Sequence, residues 1–176
     1  RNNTYIYHMK LLDTNEIEQK IKRLAIEILE NNSSEKEIIL AGINNNGKAF
    51  AELILNAMQS IKIISPQLTL TSIQLNPASP LEHPITVEMP LEELKNKVVV
   101  VIDDVANTGR TLQFAMKPLL DILVKKIELA VLVNRKHKSY PVAPNYVGVE
   151  LSTTLRDNII VEIHGIPKDK QAVYLS

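Results

Sequence analysis

Apolar side chains recur along residues 14–31 at Ile17, Ile21, Leu24, Ala25, Ile28 and Leu29, the spacing of one face of an amphipathic helix. Thr14 is placed to cap that helix, with Glu16 and Glu18 in the first turn, where the helix dipole favours acids. Asn31-Asn32-Ser33-Ser34 ends it. The period then changes. Residues 37–41 (EIILA) read as a short buried strand, the loop GINNNG follows, and a helix is predicted from Lys48 to Met58. Residues 67–75 alternate and are rich in β-formers, which predicts another strand. Pro77, Pro80, Pro84 and Pro90 bar regular structure across 76–90, apart from a brief strand at Ile85 to Met89. Residues 98–103 (VVVVID) form a continuous β-branched run, as expected of a strand covered on both faces. A helix predicted over 109–123 contains Pro118, which should kink it or end it early. Further strands are predicted at 127–133, Tyr146 to Val149 and Ile159 to Ile163, with a last pairing at Ala172 to Leu175. Helices alternating with strands predict an α/β fold with a mainly parallel sheet, whose ligands bind beyond the carboxyl ends of the strands.

Composition narrows the chemistry. The 176 residues suit a single domain, expected over 9–176 behind an N-terminal extension at 1–8. Basic and acidic residues balance at 20 each, which argues against nucleic-acid binding through a wholly basic surface. The chain has no cysteine, so disulfides, thiolate catalysis and cysteine-based zinc sites are excluded. No apolar run is long enough to span a bilayer and no apolar stretch follows Arg1, so no membrane partner is expected and the cytoplasm is the expected location.

The strongest chemical signal lies at residues 98–111 (VVVVIDDVANTGRT). Two adjacent carboxylates at the end of a buried strand, Asp103 and Asp104, are costly unless a cation or hydroxyl donors use them. The following Val105-Ala106-Asn107-Thr108-Gly109-Arg110-Thr111 supplies small residues, a glycine and two threonine hydroxyls, which form a nest of N–H donors for an anion. Carboxylates for a sugar beside a nest for a phosphate describe a sugar-phosphate site.

This run resembles the motif of type I phosphoribosyltransferases that binds 5-phosphoribosyl 1-pyrophosphate (PRPP). The resemblance extends from about Met9 to Leu175 and is nearest the PyrR branch, pyrimidine-operon attenuators with uracil phosphoribosyltransferase activity. It implies the type I fold, a central mainly parallel sheet flanked by helices with a small hood. It implies transfer of a phosphoribosyl group from PRPP to a nucleobase, pyrimidine-like and, in that branch, uracil, with release of pyrophosphate. Asp103 and Asp104 would serve catalysis by binding the ribose hydroxyls. Ala106, Asn107, Thr108, Gly109, Arg110 and Thr111 would wrap the 5′-phosphate. Ile43, Asn44, Asn45, Asn46 and Gly47 would form the pyrophosphate loop. Magnesium would arrive on PRPP near Asp103 and Asp104, with no direct protein ligand. Asn134 would lie near the base edge, Tyr146 would stack on the base and Val147 would offer it backbone atoms. From the residues alone, Tyr146 is simply a strand aromatic in the core. A homodimer or homotetramer is also implied.

Three features leave alternatives open. Gly42 to Ala49 matches G-x-x-x-x-G-K between a strand and a helix, so a nucleoside triphosphatase of the P-loop kind competes, although Ala49 stands where a magnesium-binding hydroxyl is needed. The pyrophosphate loop is neutral, and residues 76–84 have no Arg or Lys, leaving His83 as the candidate cation or proton donor. These departures favour a PRPP- or nucleotide-binding sensor without catalysis as the alternative function. Finally, Arg135-Lys136-His137-Lys138 reads as a solvated turn, as an RNA contact of the attenuator kind, or as a positive lure for PRPP.

Overall fold

The structure is a computed structural model and describes residues 9–61, 66–154 and 156–176; the extension expected at 1–8 lies outside them. The chain runs through β1 (Met9–Leu12), α1 (Thr14–Asn31), β2 (Glu37–Ile43), α2 (Asn44–Ser60), β3 (Gln67–Gln74), β4 (Thr86–Val87), β5 (Val98–Ala106), α3 (Arg110–Ala115), β6 (Lys126–Arg135), β7 (Tyr146–Leu151), β8 (Ile159–Glu162) and β9 (Ala172–Leu175). The main sheet has the order β4-β3-β2-β5-β6-β7, and every pairing in it is parallel except β4 on β3. A small antiparallel sheet, β1-β9-β8, stands apart from it as the hood. This is the architecture expected from the alternation of helices and strands.

The main sheet is buried on both faces. Val98, Val100 and Ile102 of β5 point into a cluster with Ile17, Leu24 and Ile28 of α1 and Phe50 and Ile54 of α2. Val99 and Val101 point the other way, against Leu112, Ala115 and Leu119. A β-branched run without polar interruption is what such a doubly covered strand needs. All six apolar positions predicted for α1 are buried.

Several element boundaries can be set against expectation. The N-cap of α1 is Asp13, not Thr14. Asp13 Oδ1 accepts from the Glu16 N–H at 2.9 Å and Glu16 Oε2 accepts from the Asp13 N–H at 2.8 Å, a reciprocal capping box. Thr14 instead donates its hydroxyl to the Gln171 carbonyl at 3.0 Å, fastening α1 to the approach of β9. Residues 44–47 are the first turn of α2 rather than a loop, because Gly42 and Gly47 let that turn lie directly on the sheet. A Cβ at Gly47 would sit 2.6 Å from the Ile102 carbonyl oxygen, and one at Gly42 would sit 2.4 Å from Lys48 Cα. As expected, α3 ends early before Pro118, and a 3₁₀ segment, Lys117–Asp121, replaces its second half. β5 and β6 run on together through Val105–Val133 and Ala106–Asn134, past their predicted ends.

Candidate functional site

β5 carries Asp103 and Asp104 to the carboxyl end of the central strand. Asp103 is 8% exposed. The Asp104 N–H donates to Asp103 Oδ1 at 2.9 Å, and the Val105 N–H to Asp104 Oδ1 at 2.8 Å. Burial pushes the Asp103 carboxyl well above the ordinary carboxylate range, and the neighbouring Asp104 pushes it further. Burial also raises Asp104, against a hydrogen bond from the Asn46 side chain. Hard oxygen donors held at that cost suit ribose hydroxyls, or a hard cation that keeps most of its own ligands. Among the described residues no cluster of three or more acidic or histidine side chains forms a metal cage.

The loop after β5 is held from behind. Gly109 adopts φ +86°, and a Cβ there would lie 2.3 Å from Val142 Cγ2, so only glycine fits. The Thr108 carbonyl accepts from the Ser139 and Tyr140 N–H groups at 2.9 and 3.1 Å. Lys138 Nζ donates to the Asn107 carbonyl at 2.9 Å and also to the carbonyls of Ala106 and Arg135. Arg135, 6% exposed, donates to Asn107 Oδ1 at 3.1 Å. With these carbonyls engaged at its back, the loop curls residues 105–112 around a small hollow of 40 Å³. The N–H groups of Thr108 and Gly109 have no protein acceptor among the described residues. Neither Arg135 nor Lys138 has a carboxylate within ion-pair distance among them, so two cations lie behind the loop with Asp157 and Glu150 as their more distant acidic neighbours. Of the three readings of the basic run, the solvated turn does not describe Arg135, which is buried, and both charged groups make hydrogen bonds to the protein.

A cavity of about 420 Å³ joins the two halves: Asp103, Asp104, Asn107 and Thr111 on one side, Ile43, Asn44, Asn45 and Asn46 on the other, with Pro77 and Ile159 at its rim. Ile43 gives α2 no side-chain cap, so the first-turn N–H groups of this 17-residue helix remain as donors. Asn44 Oδ1 accepts from the Leu75 N–H at 3.0 Å, which fixes the start of the 76–84 loop. Arg110 reaches that loop too, donating to the Pro77 carbonyl at 2.7 Å.

The P-loop reading fails on this geometry. Lys48 points away to Glu88 at 3.1 Å, and Glu88 is held by the Ser72 hydroxyl at 2.9 Å. His83 is not brought to the acid pair either. It lines a separate cavity with Pro84, Lys117 and Asp121.

The expected base residues fare differently. Tyr146 is 1% exposed, and its hydroxyl donates to Glu128 Oε2 at 2.7 Å while accepting from Asn31 Nδ2 at 3.2 Å. Its ring lies beneath α1 in the core, so no face is left for a base. Burial and Glu128 together push its phenol far above the usual range. The Val147 carbonyl accepts from Arg23 Nη2 at 3.2 Å. Asn134 lies between Ala106 and Glu150 in the sheet, and its Oδ1 is buried without a partner. None of these three lines the main cavity. Ile159 and Pro77 do, and neither carries a chemical signature that a sequence pattern could single out.

Residues 9–164 match the phosphoribosyl transferase domain family. The chain belongs to that family. It is 32% identical over 167 residues to the bifunctional protein PyrR of Clostridium acetobutylicum, covering 91% of this chain and 93% of that one. It is 30% identical over 169 residues to the bifunctional protein PyrR of Thermoanaerobacter sp. (strain X514), covering 93% and 95%. In fold it is similar to a hypoxanthine-guanine phosphoribosyltransferase from Bacillus anthracis, with a TM-score of 0.73 at 20% identity over 96% of this chain and 98% of the other. A hypoxanthine phosphoribosyltransferase from Staphylococcus aureus gives 0.70 at 17% identity, over 86% and 81%. The type I fold is thereby established. Family membership also sets the class of reaction: transfer of a phosphoribosyl group from PRPP to a nucleobase.

Proposed function

We propose that the chain transfers the phosphoribosyl group of PRPP to a pyrimidine-like base, with uracil the first to try, and releases pyrophosphate. The observation that carries this reading is the single cavity shared by the acid pair, the cation-backed loop and the uncapped start of α2. Asp103 and Asp104 accept hydrogen bonds from the two ribose hydroxyls and so anchor the sugar. The N–H groups and threonine hydroxyls of residues 106–111 hold the 5′-phosphate, with Arg135 and Lys138 supplying positive potential from behind. The first turn of α2 and the amides of Asn44, Asn45 and Asn46 receive the pyrophosphate. Asp103 and Asp104 are the protein groups that would lie near magnesium carried by PRPP, which would supply positive charge against the leaving pyrophosphate. A base nitrogen then bonds to C1 as the C1–oxygen bond to pyrophosphate breaks. The sugar is cation-like in between, so the protein contributes position and electrostatics rather than a nucleophile of its own. The pyrimidine preference rests on the PyrR relatives.

The neutral wall at Asn44 to Asn46 favours a second reading, a PRPP-binding regulator without turnover. RNA binding is not favoured, because inward-facing Arg135 and Lys138 engage two of the four residues of the basic run in contacts with the protein itself. Assembly into a homodimer or homotetramer fits the 72%, 70% and 77% exposure of Leu81, Leu120 and Leu123. The deciding experiment is pyrophosphate release from PRPP and magnesium across a panel of bases, with PRPP binding followed by calorimetry. Release with a pyrimidine is the expected result. Binding without release on any base would replace the transferase by the regulator.

A further inference from the structure

A buried guanidinium is costly unless its donors are engaged. Those of Arg135 are engaged on two separate stretches of chain. One is the sugar-phosphate loop, through Asn107 Oδ1 at 3.1 Å. The other is the connection between β7 and β8: Nε donates to Thr153 Oγ1 at 2.7 Å and Nη2 to the Thr154 carbonyl at 2.8 Å. That connection is itself closed, since the Thr154 N–H donates to Asp157 Oδ2 at 2.7 Å and the Asp157 N–H returns to the Thr154 carbonyl at 3.3 Å. It leads directly into β8, whose first residue, Ile159, forms the hood side of the main cavity. Asn107 lines the same cavity from the opposite side.

We propose that Arg135 is a positioning residue that links the two walls of the cavity. Filling the sugar-phosphate loop fixes Asn107, Asn107 fixes the guanidinium, and the guanidinium fixes the β7–β8 connection and with it Ile159. The hood is thus set for the second substrate by the binding of the first. This rests on the ribose-phosphate reading above. It requires the planar fork of arginine, which lysine does not reproduce although it keeps the charge.

Hydrogen exchange read peptide by peptide, with and without PRPP and magnesium, tests the link. In the native chain PRPP should slow exchange in residues 105–112 and also in residues 152–158, the latter by about fivefold. Arg135→Lys and Thr153→Val should keep the first effect and lose the second, while Thr153→Ser, which retains the hydroxyl, should keep both. Thr153→Val changes one partly exposed side chain and covers the case in which Arg135→Lys does not fold. Slowing at 152–158 that survives in Thr153→Val and Arg135→Lys, or that is absent from the native chain, overturns the proposal. Absence of slowing at 105–112 in the native chain overturns the ribose-phosphate reading instead.

Discussion

The two walls of the main cavity are built on opposite plans. On the side of the acid pair, a buried and a half-buried carboxyl meet a loop strapped from behind by Arg135, Lys138, Ser139 and Tyr140. On the α2 side, three neutral amides line the cavity, and Lys48 in the same helix turns to Glu88. The loop at 76–84 contains no Arg or Lys, and Arg110 reaches it from the opposite wall. In the proposed function, the first wall would be preorganised for a bound sugar phosphate. The second would stabilise a departing anion only through dipoles and whatever charge the substrate's own magnesium carries. Since only interactions that strengthen in the transition state raise turnover, the asymmetry separates affinity from rate along the length of one cavity.

The largest effect should come from the first wall. Asp103→Asn combined with Asp104→Asn should weaken PRPP binding about 100-fold or more in calorimetry, as expected when charge-assisted hydrogen bonds worth roughly 3 kcal/mol are lost. The same acids cost stability when no ligand is bound. Their folded pKa values are raised, so the apo fold is favoured on the acid side, fully so below the unfolded value of 3.8, and loses that advantage as pH rises through the folded values. Asp103→Asn should therefore raise the apo Tm at neutral pH by about 2–4 °C, equivalent to roughly 1 kcal/mol. That gain should shrink on acidification, and thermal melts across pH would expose the opposite trend if burial were not the dominant cause.

A smaller effect is expected from mending the second wall. Asn45 is exposed at the start of α2 and lines the cavity. Asn45→Arg should raise kcat about tenfold, roughly 1.4 kcal/mol of barrier, with little change in PRPP affinity. Steady-state kinetics showing tighter PRPP binding without faster turnover would mean that the neutral wall does not limit the rate. The smallest functional effect belongs outside both walls. Tyr146→Phe should cost about 1–2 kcal/mol in denaturant unfolding, because Glu128 loses a buried donor. The KM for the base should stay within about twofold of the native value. A much larger rise would return Tyr146 to the base site.

What could be seen in the sequence was what is contiguous. Asp103 to Thr111 carries its acids, its glycine and its hydroxyls in one run, so its chemistry is legible without knowing any neighbour. The α1 stripe was equally plain, since one helix face needs only its own spacing. Three features depended on residues far along the chain. Tyr146 is claimed by Asn31 and Glu128, 115 and 18 positions away, which no local pattern announces. Thr14 lost the cap to Asp13 because Gln171 takes its hydroxyl. Arg135 sits in a run that looks solvated, and only the parallel pairing of β5 with β6 turns it towards Asn107.

The glycines at 42 and 47 have a meaning beyond this cavity. They lie where helix and strands come too close for any side chain, so their spacing is a gauge of layer separation rather than a mark of a phosphate-wrapping ring. Any α/β protein that presses the start of a helix this hard onto its sheet will tend to spell the same letters, and a lysine one residue later then falls on the helix surface. In such strings the nucleotide chemistry is written in where the lysine goes, and here it goes to a glutamate.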